Sequence, residues 1–441
     1  MQNYINYKKW FQKSLQYNFD SLEIIFNEKQ SLNITLEDTN ISKHTKSDLI
    51  LFTIKGLYKN KKSVISLEKI NDNMIDDVLQ ILKNKTEILT SKEKDFIFEG
   101  SLVYPSIRQD NFDFTQIDLK EKYNLLFALK EKLFESSYLK IIDSIDYYEK
   151  SFKHHLVNSK GLILEESGSF AAIYATCVFQ KDNDITEITK VLAVKKFENF
   201  DISKFAKEIV NLGERKVGAK SLISQTYSVV FSNEIFADLL EIFSNIFNGM
   251  RAYRGLTKLK DQEGKQIAST KVTLIDDPLS EEAFSQHRFD DEGVACYTKS
   301  IVEKGFFKQF VHNLKTAHIF QTKPTGNGFD DSISMGNFYL KKGDKSLEEI
   351  ISPINNGVYI DYLIGLHAGV NDINGDFSIQ AGGFRIEKGI ITTPVKLIVV
   401  SGNFLDILQN IKAIANDFIF QTSGFGSASV YVGELSIAGE Y

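Results

Sequence analysis

The sequence predicts an α+β protein, with an N-terminal α/β region followed by a largely antiparallel β C-terminal domain that carries a few packed helices. Three observations lead there. In Gly375 to Phe404 apolar residues alternate at Phe377 and Ile379, at Phe384 and Ile386, and at Val395, Leu397 and Val399, the period-2 pattern of a sheet with one buried face. Glycine is sparse at first and dense later: 6 of the 27 glycines fall in residues 1–220, and the rest, with four of the five prolines, follow. Because Gly and Pro mark changes of chain direction, the second half is rich in turns and short strands. In the first half, helical and strand-like runs are interspersed.

The N-terminal elements follow in order. Tyr4, Tyr7, Trp10, Phe11 and Leu15 lie at helical spacing. Strands are expected at 22–26, 32–36, 49–57 and 63–67, and Asp72 is the expected cap of a helix carrying Val78, Leu79 and Leu82. A charged bridge over 93–115 leads to a helix over 119–134. Strands are then expected at 140–148, 153–158, 162–166, 170–179 and 188–194, and Asp201 caps a further helix. The expected divisions are 1–110 for an N-terminal α/β domain, 111–222 for a helix-plus-strands segment and 223–441 for the β-rich domain.

The last domain opens with a strand at 224–231 and a helix capped by Ser232 or Asn233 that runs through Phe247. Its signature stretch, 375–404, reads as strand, glycine turn, strand, tight turn at Glu387-Lys388-Gly389 and strand. A helix carrying Leu405, Leu408, Ile411 and Ile414 follows.

Composition excludes several classes. The net charge of -6, from 58 acidic and 52 basic residues, leaves no basic footprint for nucleic acid. The two cysteines, Cys177 and Cys296, suffice for neither a disulfide framework nor a four-cysteine zinc site, and their apolar neighbours suit buried reduced thiols. The N-terminus has no signal-like apolar run, and no segment has the ~20 apolar residues needed to span a bilayer. A cytoplasmic protein is expected.

Catalytic motifs are sparse. None of the seven histidines is followed by Glu, so the zincin helix is missing. His154 and His155 are adjacent in a strand and point to opposite faces, which prevents them from sharing a metal. The nucleophile elbow and the phosphate loop are also missing. The doublets Asp276-Asp277, Asp290-Asp291 and Asp330-Asp331 fit solvated turns better than acid-base pairs. Asn371 to Asp376 lacks the ligand ladder and terminal Glu of a calcium loop. His367, flanked by glycines, is a candidate cleft residue.

IDDP at 275–278, FDDEG at 289–293, IVEKG at 301–305, TGNGF at 325–329 and GDFS at 375–378 occur in order. AGGFRIEKG at 381–389, PV at 394–395, SGN at 401–403 and the closing GELSIAGE at 433–440 complete a set that resembles the TldD/PmbA family, specifically its PmbA/TldE branch. The resemblance implies a C-terminal domain that dimerises around a peptide-processing chamber. It also implies that zinc-bearing relatives carry His-Glu-x-x-x-His on the first helix of this domain, with a late cysteine completing the site. Here Glu241 and Ile242 stand where His-Glu would be, Ile246 stands where the second His would be, and Ser427 or a near neighbour takes the cysteine's place. No metal or catalytic residue is therefore assigned to this chain, and the zinc is expected in a TldD-like partner.

The resemblance thus implies a non-catalytic subunit of a TldD/TldE-type metalloprotease acting on unfolded peptides. The alternative is a stand-alone homodimeric peptide-binding or scaffold protein without hydrolysis. Asn327, His367, Asn403 and Ser427 are the candidate substrate-cleft residues. Neither nucleic acid nor a membrane is an expected partner. The acidic balance also argues against direct DNA contact in the gyrase-modulating role once attached to the family.

Overall fold

The structure, a computed structural model, describes residues 4–37, 40–90, 93–107, 111–366 and 368–440. Helix accounts for about 24% and strand for 40%, which places the chain in the α+β class.

The N-terminal half comprises α1 (Tyr7–Gln16), β1 (Ser21–Glu37), β2 (Asn40–Tyr58), β3 (Lys61–Leu67) and α2 (Ile75–Glu87), then α3 (Leu119–Leu133), β4 (Leu139–Asn158), β5 (Ile163–Lys181), β6 (Asp184–Val194) and α4 (Ile202–Lys216). One antiparallel sheet takes all six strands in the order β3-β2-β1-β4-β5-β6. It crosses residue 110, because β1 pairs with β4.

Trp10, Phe26, Ile54, Leu79 and Leu82 form one apolar core beneath the sheet. Leu126, Leu129, Ile145, Ile173, Phe179 and Ile209 form another. Asp201 caps α4 as expected, accepting from the Lys204 amide at 2.9 Å. Asp72 does something else: its carboxylate accepts the Trp10 indole N–H at 2.9 Å, and Asn71 caps the turn before α2. Helix α1 is thereby tied to α2.

The short expected strands merge into long ones. Segments 22–26 and 32–36 are both β1, 140–148 and 153–158 are both β4, and 162–166 and 170–179 are both β5. The polar runs between them had the composition of turns. They are strand residues whose side chains face water or a cleft, so they lack the apolar alternation that marks a half-buried strand.

The C-terminal half contains β7 (Gln225–Phe231), α5 (Asn233–Phe243), α6 (Gly249–Tyr253), β8 (Leu274–Asp276), β9 (Lys299–Glu303), β10 (Phe306–Phe307), α7 (Leu314–Phe320), β11 (Phe338–Leu340), α8 (Leu347–Ile351) and β12 (Asn356–Ile364). It ends with β13 (Asp376–Glu387), β14 (Ile390–Asn403), α9 (Phe404–Asn410), β15 (Ala413–Ile414), β16 (Ile419–Phe420), β17 (Phe425–Ser427) and β18 (Val430–Ala438). One sheet runs β10-β9-β8-β11-β17-β16, and another runs β14-β13-β12-β7-β18-β15. In the second, β14 also pairs with β18, which closes five strands into a ring. Most pairs are antiparallel, but β12–β7 and β11–β17 are parallel.

Ser232 caps α5, its hydroxyl accepting from the Ile235 amide at 3.2 Å. The expected helix through Phe247 stops at Phe243, and Ser244–Phe247 form a 3-10 turn. Similarly, α9 ends at Asn410, and Ile414 belongs to a short strand.

The glycine turn expected at 381–383 is a bulge within one continuous strand. Phe377 and Ile379 are buried before it, Phe384 and Ile386 after it, so the inward parity shifts by one residue. Facing strand β14 shifts too: Val395, Ile398 and Val400 are buried, whereas Leu397 and Val399 are 45% and 36% exposed. The Lys-Leu-Ile-Val-Val run is apolar at both parities, and alternation alone selects the wrong one.

The bulge requires glycine, since a Cβ at Gly383 would stand 1.9 Å from the Tyr359 carbonyl oxygen. Gly383→Ala should therefore destabilise the chain by about 2–3 kcal/mol through overpacking against backbone, measured as a shift in urea midpoint at unchanged m value.

Candidate functional site

The long N-terminal strands present a polar face to the C-terminal domain. Strand register sets its rows: Asn27, His154 and Glu166 stand side by side on β1, β4 and β5, and Lys29, Phe152 and Gly168 form the next row. Directly paired residues share a face of the sheet. Loops of the C-terminal domain supply the opposite wall with His287, Asp291, Phe329, Asp330, Ser334 and Ser423. Between the walls lies a cleft of about 410 Å³.

Charged contacts join the walls. Glu166 accepts from His287 Nδ1 at 2.9 Å and from the Arg288 amide at 2.9 Å. Burial alone would hold His287 below its usual pKa, but its hydrogen bond to Glu166 and the charge of that carboxylate carry it above. His154 is held below its usual pKa by burial, against the pull of Asp291 and Glu166. The Lys55 ammonium crosses from β2 to donate to the Asp291 carbonyl at 3.0 Å, and it stands 3.5 Å from Glu23.

Three of the short motifs meet behind the C-terminal wall. Asp276 is fully buried, and its carboxylate accepts from Lys299 Nζ at 2.8 Å, Asn327 Nδ2 at 2.8 Å and the Gly336 amide at 2.7 Å. Asp290, also fully buried, accepts from the amides of Gly328, Val294 and Glu292. Asp277 receives the Thr298 hydroxyl at 2.6 Å. The carboxylates at 276, 277 and 290 hold loops together instead of standing free for acid-base work.

A second groove, of about 320 Å³, adjoins the cleft through Ser334, Met335 and Ser423. Glu241 at the end of α5 and Asn245 in the following turn line it. Ile242 is half-buried and Ile246 is 2% exposed.

The other sequence-selected residues are dispersed. Asn327 is fully buried behind the cleft wall, where it receives the Thr325 hydroxyl and donates to the Ser334 carbonyl. Asn403 caps α9 and donates to Asp376 at 2.7 Å. Ser427 is fully buried in β17 and donates to the Ala428 carbonyl, whereas Ser423 is the nearby serine that lines both grooves. His367 lies outside the described residues. Lys29, Lys150, His154, His287 and Ser423 line the cleft without having been selected for it. For Lys29, Lys150 and His154 the one sequence signal is the polar interruption of strand-like runs, and His287 and Ser423, in loops, carry none.

The residues at the zinc-motif positions do not fit a zinc ion, because isoleucine has no donor atom and one carboxylate is left. Among the described residues, no three His, Cys, Asp or Glu side chains stand together as a metal site would require. Cys177 and Cys296 are buried and unpaired, and burial pushes the Cys177 thiol up to about 12.

Removing one partner of the Asp276 cluster should be costly. Asp276→Ala leaves the Lys299 ammonium buried without its counter-charge, and a loss of about 3–5 kcal/mol is expected by urea denaturation. His312 offers a pH test, since burial depresses its imidazole to about 4 from 6.5. Both states are neutral above pH 6.5. As pH falls toward 4, the unfolded chain takes up a proton that the folded chain refuses, and stability drops by about 3 kcal/mol over that window. His312→Gln should lack this part of the acid slope in stability measured from pH 8 to 4.

The family model for the PmbA/TldA metallopeptidase C-terminal domain matches residues 224–439. Over 439 aligned residues the chain is 26% identical to a metalloprotease of Methanocaldococcus jannaschii, covering 94% of each chain. The crystal structure of a candidate modulator of a DNA gyrase from Thermotoga maritima superposes with a TM-score of 0.92 at 26% identity, over 98% of this chain and 99% of that one. TldE from Thermococcus kodakarensis shares the fold, with a TM-score of 0.88 at 21% identity over 98% and 100% of the two chains. Among the described residues no helix is long and apolar enough to cross a membrane. With its ordered motifs joined around Asp276 and Asp290, residues 224–439 belong to the PmbA/TldA metallopeptidase C-terminal domain family, and along its full length the chain is similar to proteins named as metalloproteases.

Proposed function

We propose that this protein is the PmbA/TldE-like, non-catalytic subunit of a TldD/TldE-type metalloprotease that degrades or trims unfolded peptides. The observation that carries the reading is the filling of the zinc-motif positions by Glu241, Ile242 and Ile246. Two hydrocarbon side chains neither bind zinc nor move a proton, so the hydrolytic centre belongs to a TldD-like zinc-bearing partner. This chain contributes the cleft between its two halves and the groove beside α5, where an extended peptide is held. Such holding tolerates many sequences when backbone groups carry the contacts. Its buried, unpaired cysteines suit a reducing cytoplasmic setting.

The test compares the chain purified alone with the chain co-purified with a TldD-type subunit, using unfolded casein and short peptides as substrates. The chain alone should show no chelator-sensitive cleavage. The pair should cleave, and Glu241→Ala in this chain should leave kcat within about twofold, with any change falling on KM, because Glu241 lines the holding groove and not the chemistry. Chelator-sensitive cleavage by the chain alone overturns the proposal. A homodimer that binds peptides yet neither pairs with a TldD-type subunit nor cleaves would instead support the stand-alone scaffold.

A further inference from the structure

We propose that the cleft between the two halves holds the free C-terminus of a peptide, with the Lys29 and Lys150 ammoniums on its carboxylate. The inference rests on the reading of the chain as a peptide-holding subunit and assigns which end of the peptide enters.

The first observation is uncompensated positive charge. Lys29 on β1 pairs with Phe152 on β4, and Ser31 pairs with Lys150, so both lysines lie on the cleft face. Both line the cavity, and among the described residues neither ammonium has an ion pair or hydrogen bond. Burial first, then the charge of Lys29, lowers the pKa of Lys150, the electrostatic state that a bound anion would relieve. Asp330 acts on Lys150 in the opposite sense, from beyond ion-pair range. The remaining acids are engaged: Glu166 by His287 and the Arg288 amide, and Asp291 by the Asp330 amide at 2.7 Å.

The second observation is a buried, neutral imidazole. His154 is 7% exposed, and its Nδ1 lies 2.7 Å from Asn27 Oδ1, an acceptor. The proton therefore sits on Nδ1, and Nε2 is a bare acceptor. It has no hydrogen-bond partner among the described residues. Its charged neighbour, Asp291 Oδ1 at 3.7 Å, is also an acceptor. Nε2 itself has almost no surface open to the cavity, so the neutral ring forms an uncharged part of the wall beside the lysines and is not a ligand contact.

Phe152 supplies the surface between these groups. Its ring lies over Gly168, where a Cβ would come within 2.5 Å of it, and it stacks on His287 with centroids 6.3 Å apart. The cleft thus combines two cations and an aromatic floor, with the Asp330 carboxylate beyond ion-pair range of Lys150. A peptide amino terminus would be repelled by the two lysines, and this distinguishes the ends.

The test is fluorescence anisotropy with the full-length chain, alone and with its TldD-type partner, at low ionic strength and pH 7. The probe is an unstructured ten-residue peptide carrying fluorescein on its N-terminus. It is made as a free acid, as a C-terminal amide and as an amide with a penultimate Glu. The free acid should bind about tenfold tighter than either amide, the scale of hydrogen bonds to a charged group. Lys29→Met/Lys150→Met should bring the acid-to-amide ratio to about one, and Lys29→Met alone should reduce it partly. Because each ratio is taken within one preparation, loss of folded protein does not mimic the effect. Equal binding of acid and amide overturns the inference while leaving the peptide-holding reading intact. Equal binding of the acid and the Glu amide overturns recognition of the terminus. No binding of any probe, alone or in the pair, overturns both readings.

Discussion

The arrangement depends on the buried carboxylate of Asp276. A fully desolvated anion is tolerable only with donors on its oxygens, and here the donors come from three places in the chain: Lys299 on β9, Asn327 in the 325–329 motif and the backbone at Gly336. Satisfying that one charge gathers β8, β9 and the loop before β11. Asp290 repeats the solution with backbone amides of the 289–294 turn and Gly328. The loops so gathered form the C-terminal wall of the cleft, and their motif acids are consumed as ties.

This separates the acids that hold the fold from the groups that face the cavity. The cleft receives its polar side chains from the N-terminal sheet, at Asn27, Lys29, Lys150 and His154, and from His287 and Ser423 opposite. Among the described residues, none of them is a nucleophile with an adjacent base or a member of a metal site. The α5 position that bears the zinc motif in catalytic relatives opens on the adjoining groove through Glu241, close to the cleft but without donors enough for a metal. In the proposed reading, holding and cutting are tasks for different subunits.

The fold was largely legible in the sequence, and the site was much less so. Period-2 alternation located β13 and β14, and Asp201 and Ser232 announced their helices. The phase of β14 was not legible, because Leu397 to Val400 is apolar at both parities and paired bulges decide which residues turn inward. The N-terminal strands were cut short for a related reason: 27–31 and 149–151 are polar, facing water, the cleft or, at Glu149, a buried ion pair with Lys122, and polarity within a run reads as a turn. Of these stretches Asn27, Lys29 and Lys150 line the cavity, with Phe152 beside them. Asn327, expected in the cleft, is buried beneath its wall. His287 and Glu166 meet across 121 residues of sequence, a contact that no local pattern encodes.

The central claim, that this chain carries no hydrolytic metal centre of its own, is tested most directly by native mass spectrometry of the purified chain incubated with zinc. The account predicts the mass of the bare polypeptide, or of its oligomer, with no zinc adduct that survives buffer exchange. A stoichiometric zinc adduct on this chain, lost on Glu241→Ala, would contradict it.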